Sequence, residues 1–353
     1  MTAYFRDKMD VMKHFRLVAL VVSSIFLLFV SYFSIPLHVS GQLTVTPDDI
    51  SIDMTPSNPG PNQKTLIVIN SFAMDLNSAT VTWFVNGAKV LSGEGAKQFS
   101  ITTGAIGQRT NIDIRISSIT GDIDKTFSIV PASIDLIWEA DTYVPPFFKG
   151  KPLFTDQSTI TFIALPHMLR NGVEVNPANL IYKWSENDTV LGDRSGYGQN
   201  TLAIVGSMIP RPMDITVEAT DPVTGGVADG ESVVQPNTPF VLMYKNDPLY
   251  GIQYEKALQN SYPLTEKEVD LTVVPYYFSA ESPTDTNLSY DWQINGDPIN
   301  DGQNSPDKVF RQVGDAYGVS DISVSVSQTQ TLFQTAEQNI QIDFQKPTGQ
   351  SSL

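Results

Sequence analysis

A seven-residue pattern centred on tryptophan occurs three times, and it limits what this chain can fold into. It reads Val-Thr-Trp-Phe-Val-Asn-Gly at 81–87, Tyr-Lys-Trp-Ser-Glu-Asn-Asp at 182–188 and Tyr-Asp-Trp-Gln-Ile-Asn-Gly at 290–296. In a strand, successive side chains point to opposite faces. Val81, Trp83 and Val85 therefore share one face, as do Tyr182 with Trp184, and Tyr290, Trp292 and Ile294. The Asn-Gly or Asn-Asp pair that follows supplies the positive φ angles of a two-residue hairpin. Each copy thus predicts an inward-facing tryptophan on a strand that turns back on itself.

A second regularity accompanies the first. Clean alternation returns at 111–116, 214–219 and 321–326, and the centres of these runs, Ile114, Val217 and Val324, lie 31, 33 and 32 residues beyond the tryptophans. Near-constant spacing predicts one sandwich topology used three times, with 42–131, 132–236 and 237–346 as the units and 347–353 as a polar tail. The tryptophans Trp83, Trp184 and Trp292 are the expected core residues, buried between two sheets. Helical periodicity is missing after residue 41, so the expected fold class is all-β: three tandem immunoglobulin-like sandwiches after an N-terminal hydrophobic helix. Joined by short segments, such units are expected to form a semi-rigid row on the order of 100 Å long, with strands rising about 3.3 Å per residue.

Several function classes are disfavoured by composition. There is no cysteine, which excludes a disulfide framework, thiol catalysis and thiolate-bound zinc. Residues 42–353 hold 18 basic against 36 acidic side chains, a surface that repels phosphate backbones, so no nucleic-acid partner is expected. Of three histidines, His14 and His38 flank the N-terminal apolar run and only His167 falls within a predicted unit. One histidine cannot supply a nucleophilic triad or a His-rich zinc site.

The N-terminus carries targeting information. Leu17 to Ile35 is nineteen residues without charge, behind Arg6, Lys8, Lys13 and Arg16. That length can span a bilayer as a signal anchor. The small residues Val39-Ser-Gly41 before Gln42 equally suit a cleaved signal peptide, and Met12 offers an alternative start. Either reading places residues 42–353 outside the cytoplasm, with the membrane as partner if the segment is retained.

The Tyr-x-Trp strand, its turn and the later alternating strand resemble the immunoglobulin-like and polycystic-kidney-disease-type (PKD) modules of bacterial surface proteins. The resemblance covers most of 42–346 and implies a non-catalytic surface module. The PKD pattern continues Tyr-x-Trp-Asp-Phe-Gly-Asp-Gly, whereas Ser-Glu-Asn-Asp follows Trp184, Gln-Ile-Asn-Gly follows Trp292, and Trp83 lacks the tyrosine. The stretches Ser57-Asn-Pro-Gly-Pro-Asn62 and Glu139 to Pro152 are also similar to uncharacterised secreted proteins of small-genome bacteria, which implies no activity.

Three local stretches invite a site reading. Gly192-Asp-Arg-Ser-Gly-Tyr-Gly198 is glycine-rich, but a strand-like run follows it where a phosphate loop needs a helix, so it reads as a turn and no cofactor is expected. Asp297, Asn300, Asp301 and Asp307 form the densest set of oxygen donors, of the kind calcium takes, without the spacing of a helix–loop–helix calcium site. Pro-Pro-Phe-Phe at 145–148 either seats Phe147 and Phe148 in the seam between units one and two or presents them to a partner. The expected role is a non-enzymatic extracytoplasmic adhesion, binding or spacer protein whose partner is a cell-envelope protein or glycan. The alternative is a carboxylate-dependent glycan hydrolase or an accessory carbohydrate-binding protein.

Overall fold

Short alternating runs punctuated by positive-φ turns fold here into strands and almost nothing else. The computed structural model describes residues 17, 18, 20–25, 45–119, 121–314 and 316–345. Residues 17, 18 and 20–25 are helical; the remainder of the apolar run, the candidate cleavage point, His14, His38 and the tail 347–353 lie outside the described residues. Among the described residues no helix is long and apolar enough to cross a membrane. The chain divides after Thr46, and the architecture below belongs to the unit that begins at Pro47.

The first sandwich contains β1 (Ile50–Thr55), β2 (Lys64–Ser71), β3 (Thr80–Val85), β4 (Ala88–Glu94), β5 (Gln98–Thr102), β6 (Thr110–Ser118) and β7 (Gly121–Ile129). They form two antiparallel sheets, ordered β1-β2-β5 and β4-β3-β6-β7. Ile50, Ile67 and Ile69 from the first sheet and Val81, Trp83, Ile112, Ile114 and Ile116 from the second are all 0 or 1% exposed. Alternation on both sheets thus meets in one apolar layer, the defining contact of a β-sandwich.

The second sandwich repeats this order with β8 (Ser133–Ala140), β9 (Thr159–His167), β10 (Leu169–Arg170), β11 (Val173–Glu174), β12 (Ile181–Glu186), β13 (Thr189–Val190), β14 (Gly196–Tyr197), β15 (Thr201–Val205), β16 (Met213–Thr220) and β17 (Val227–Val234). Its sheets run β15-β9-β8 and β13-β12-β16-β17, with β14 beside β12 and β10–β11 as a separate hairpin. Phe154, Phe162, Tyr182, Trp184 and Val217 belong to its core.

The third contains β18 (Phe240–Asp247), β19 (Gly251–Ile252), β20 (Ser261–Leu264), β21 (Glu268–Tyr276), β22 (Leu288–Ile294), β23 (Asp297–Pro298), β24 (Asp307–Arg311), β25 (Gly318–Gln328) and β26 (Thr335–Phe344). Its sheets run β19-β18-β21-β24 and β20-β26-β25-β22-β23. Here β20 adds a parallel edge against β26, which the other two sandwiches lack.

The three tryptophan strands are built alike down to single hydrogen bonds. Trp83 pairs across the sheet with Ile114, Trp184 with Val217 and Trp292 with Val324. Each indole N–H donates to a backbone carbonyl: Ala96 at 2.8 Å, Gln199 at 2.8 Å and Ser305 at 3.0 Å. Burial of the large ring therefore leaves no orphaned donor. Both residues of each following turn have positive φ: Asn86 49° and Gly87 81°, Asn187 47° and Asp188 63°, Asn295 52° and Gly296 83°. That is the twist-matched hairpin turn. The asparagines do more, because each Oδ1 accepts from the first residues of the later strand: Asn111 N at 2.9 Å, Asp214 N at 3.3 Å and Asp321 N at 2.8 Å. The turn thereby pins the register of the two central strands. Tyr182 and Tyr290, two residues before their tryptophans, donate their hydroxyls to Pro177 O (2.9 Å) and Pro283 O (2.6 Å), a further likeness between the second and third sandwiches.

Candidate functional site

The loop between β8 and β9 holds the Pro-Pro-Phe-Phe stretch, and its backbone is committed at both ends. Tyr143 N donates to Phe278 O and Tyr277 N donates back to Tyr143 O, both at 2.8 Å. Thr155, 1% exposed, donates its hydroxyl to Tyr277 O at 2.8 Å. Gln334, fully buried, bridges Asp156 O (2.7 Å) to Ser279 Oγ (2.8 Å) and accepts from Ser279 N (2.7 Å). The loop therefore belongs to the seam between the second and third sandwiches. The sequence expectation of a seam between units one and two is corrected on this point. The reason is the apolar outer face of β18 and β21, where Tyr244, Val274 and Tyr276 need cover and Tyr143, Val144 and Leu153 supply it.

Within that loop the two phenylalanines part company. Phe148 sits edge-on to Tyr276 and Tyr277, with ring centroids 5.9 and 6.2 Å away, and keeps 36% of its surface exposed at the seam's edge. Phe147 is 96% exposed. The cause is a tight turn: Phe148 N donates to Pro145 O at 3.2 Å, Pro146 takes the second position and Phe147 the third, with φ 66°. Proline followed by a positive φ is a type II turn, whose third position is ordinarily glycine or asparagine. A bulky aromatic there is strained by about 1–3 kcal/mol, and such strain concentrates at functional positions. Beside it, the ammonium of Lys151 lies 3.1 Å from the centroid of the Trp138 ring, a cation–π contact.

The seam beneath is tyrosine-rich, with Tyr244, Tyr276 and Tyr277 buried. Tyr244 and Tyr276 share a hydrogen bond between hydroxyls at 2.7 Å, and Phe240 stacks on Tyr276 with centroids 4.7 Å apart. Burial, with the neighbouring Tyr254 adding, pushes the Tyr143 hydroxyl up to about 12. Tyr276 is raised further, by burial first and then by its bond to Tyr244. With both hydroxyls pushed up, Tyr143 and Tyr276 are neutral near pH 7, and the seam is an apolar contact with an internal hydroxyl bond.

The other candidate positions fall as follows. Asp297 and Asn300 are exposed. Asp301 accepts from the ammonium of Lys308 at 2.7 Å, and Asp307 accepts from the Thr272 hydroxyl. These two carboxylates are thus turned to protein donors, and no three His, Asp or Glu side chains group to hold a metal among the described residues. Within Gly192–Gly198, Ser195 accepts from Trp184 N (3.0 Å) and donates to Leu191 O (2.7 Å), which braces the tryptophan strand. His167 lies on the surface with Asp135 at 3.1 Å and Glu174 at 3.5 Å.

One pair carried no signal in the sequence. Arg170 on β10 grips Asp221, just after β16, through Nε and Nη2, and the Asp221 side chain is 2% exposed. Burial alone would raise the Asp221 pKa. Hydrogen bonds from Arg170, the Thr224 hydroxyl and Val223 N more than offset that and hold it at about 2.

Neither a protein family nor a curated protein matches the sequence. Among solved structures, the three N-terminal domains of the Highly Immunogenic Outer Capsid protein of bacteriophage RB49 align with 84% of this chain and 99% of their own, at 11% identity and TM-score 0.25. The central fibronectin-III array of RIM-binding protein aligns with 80% of this chain and 93% of its own, at 14% identity and TM-score 0.27. The Bacteroides ovatus SGBP-B of a mixed-linkage glucan utilization locus, solved with a mixed-linkage heptasaccharide, aligns with 81% and 65%, at 12% identity and TM-score 0.23. Likeness at this level carries no argument about what the chain binds.

Proposed function

We propose that this chain is a non-enzymatic, extracytoplasmic binding module of the cell surface, and that Phe147 is its contact residue for a cell-envelope partner. The observation that carries the reading is the division of labour in the β8–β9 loop. Phe148 anchors in the tyrosine seam, while Phe147 is held out in solvent by a turn geometry that disfavours its side chain. Aromatic side chains, phenylalanine included, are enriched at the cores of recognition surfaces relative to the rest of a protein's surface. The extracytoplasmic location rests on the basic-then-apolar leader. The PKD-type assignment rests on the Tyr-x-Trp strands of the second and third sandwiches.

The test is a pull-down of envelope fractions with the full chain and two variants. Phe147→Ser should lose the captured partner while keeping the parent melting temperature. Phe148→Ser should lower the melting temperature through loss of seam packing. Capture unchanged by Phe147→Ser removes the loop from the binding surface. Saccharide hydrolysis that vanishes with one carboxylate substitution overturns the non-enzymatic reading.

A further inference from the structure

Where the first and second sandwiches meet, loops from both enclose a cleft of about 400 Å³. Gly107 makes the approach possible. With φ 74° it lies so close to Leu169 that a Cβ would come within 2.7 Å of the leucine side chain. On one wall is the first sandwich with Arg109; on the other is the β10–β11 hairpin with Arg170.

The cleft's charge runs against that of the chain. Acidic residues outnumber basic ones 38 to 22, yet no Asp or Glu lines this cavity and two of its side chains are guanidinium groups. Behind the lining, Asp221 holds Arg170 and Asp229 accepts from Asn58, so the cleft's excess positive charge rests on Arg109. Arg109 is exposed, donates to Ser128 Oγ at 2.5 Å and pairs with no carboxylate among the described residues. By contrast, Arg115 and Arg311 are each paired with an acidic side chain. Arg170 is held by Asp221 along its Nε–Nη2 edge, which fixes the plane of the group and leaves the Nη1 edge uncommitted. A guanidinium fixed by a buried carboxylate is preorganised for a second, planar acceptor. The volume suits a ligand the size of one or two sugar rings, given that small-molecule clefts run upward from about 300 Å³.

We propose that this cleft binds the anionic oxygen group of a small, sugar-sized ligand, with Arg109 as the primary cation and Arg170 as the oriented second donor. The chemistry is a carboxylate or a phosphate, and it comes from an acidic sugar or from a phosphorylated envelope component. The site lies apart from the Phe147 loop, so the two readings fail independently.

The experiment is titration calorimetry on the full chain with glucuronate, inorganic phosphate and glucose, repeated for Arg109→Gln. Saturable binding of glucuronate or phosphate is expected, weakened about tenfold or more by Arg109→Gln, a loss of one charged contact. Glucose should give no heat. Binding of glucuronate alone identifies an acidic sugar as the source, and binding of phosphate alone a phosphorylated one. Arg109→Gln should keep the parent melting temperature, since Arg109 is exposed, and Phe147→Ser should leave the titrations unchanged. If neither anion binds, or if binding is the same in Arg109→Gln, the proposal is overturned.

Discussion

Trp184 stands directly across the sheet from Val217, and the same tryptophan-to-aliphatic pairing recurs at Trp83 with Ile114 and Trp292 with Val324. Each ring is buried between the two sheets among aliphatic side chains, in a chain with no cysteine. Replacing Trp184 by Ala should cost about 3–5 kcal/mol, because a large cavity opens and the Gln199 carbonyl loses its donor. Urea denaturation of the variant measures this, and a loss below about 1 kcal/mol would contradict so central a packing role.

The turn asparagines give a sharper test of register. Asn295→Gly keeps the positive φ but removes the bond to Asp321 N, whereas Asn295→Ala loses both. The glycine variant should therefore cost about 0.5–1.5 kcal/mol and the alanine variant about 1 kcal/mol more. Equal denaturation midpoints for the two would mean that backbone strain plays no part.

The Arg170–Asp221 pair links stability to acid. The folded Asp221 pKa, about 2, lies below the ordinary value of 3.8. A depressed carboxylate contributes stability that is fully present above the unfolded pKa and lost as pH falls toward the folded one, so the window runs from about pH 4 to pH 2. The contribution at neutral pH is about 2 kcal/mol. Asp221→Asn should be destabilised at pH 7 and should lose less stability than the parent between pH 4 and 2. Parallel pH profiles for the two proteins would remove this pair from the acid response.

The tryptophan strands, their hairpins and their partner strands are legible in the sequence because each depends on alternation and turn chemistry within a few residues. The spacing from Trp83, Trp184 and Trp292 even identifies the residues that face them. What stays hidden depends on contacts distant in sequence. The β8–β9 loop reaches the third sandwich because the outer face of β18 and β21 is apolar, and strand alternation cannot say which neighbour covers an outer face. Asp221 meets Arg170 across 51 residues, and only the fold brings them together. The parallel edge strand β20 is four residues long with a proline in it, and its local pattern reads as a loop.

Site-specific photocrosslinking tests the binding account most directly. The full chain, in cells that express it, would carry Phe147→p-benzoylphenylalanine in one variant and Phe148→p-benzoylphenylalanine in the other. Exposure at 147 and edge packing at 148 predict a discrete higher-mass adduct with an envelope component that is stronger from position 147, with crosslinks within the chain prevailing from position 148. No adduct from 147, or an adduct of equal strength from both positions, would contradict a presented Phe147 and with it the proposed recognition loop.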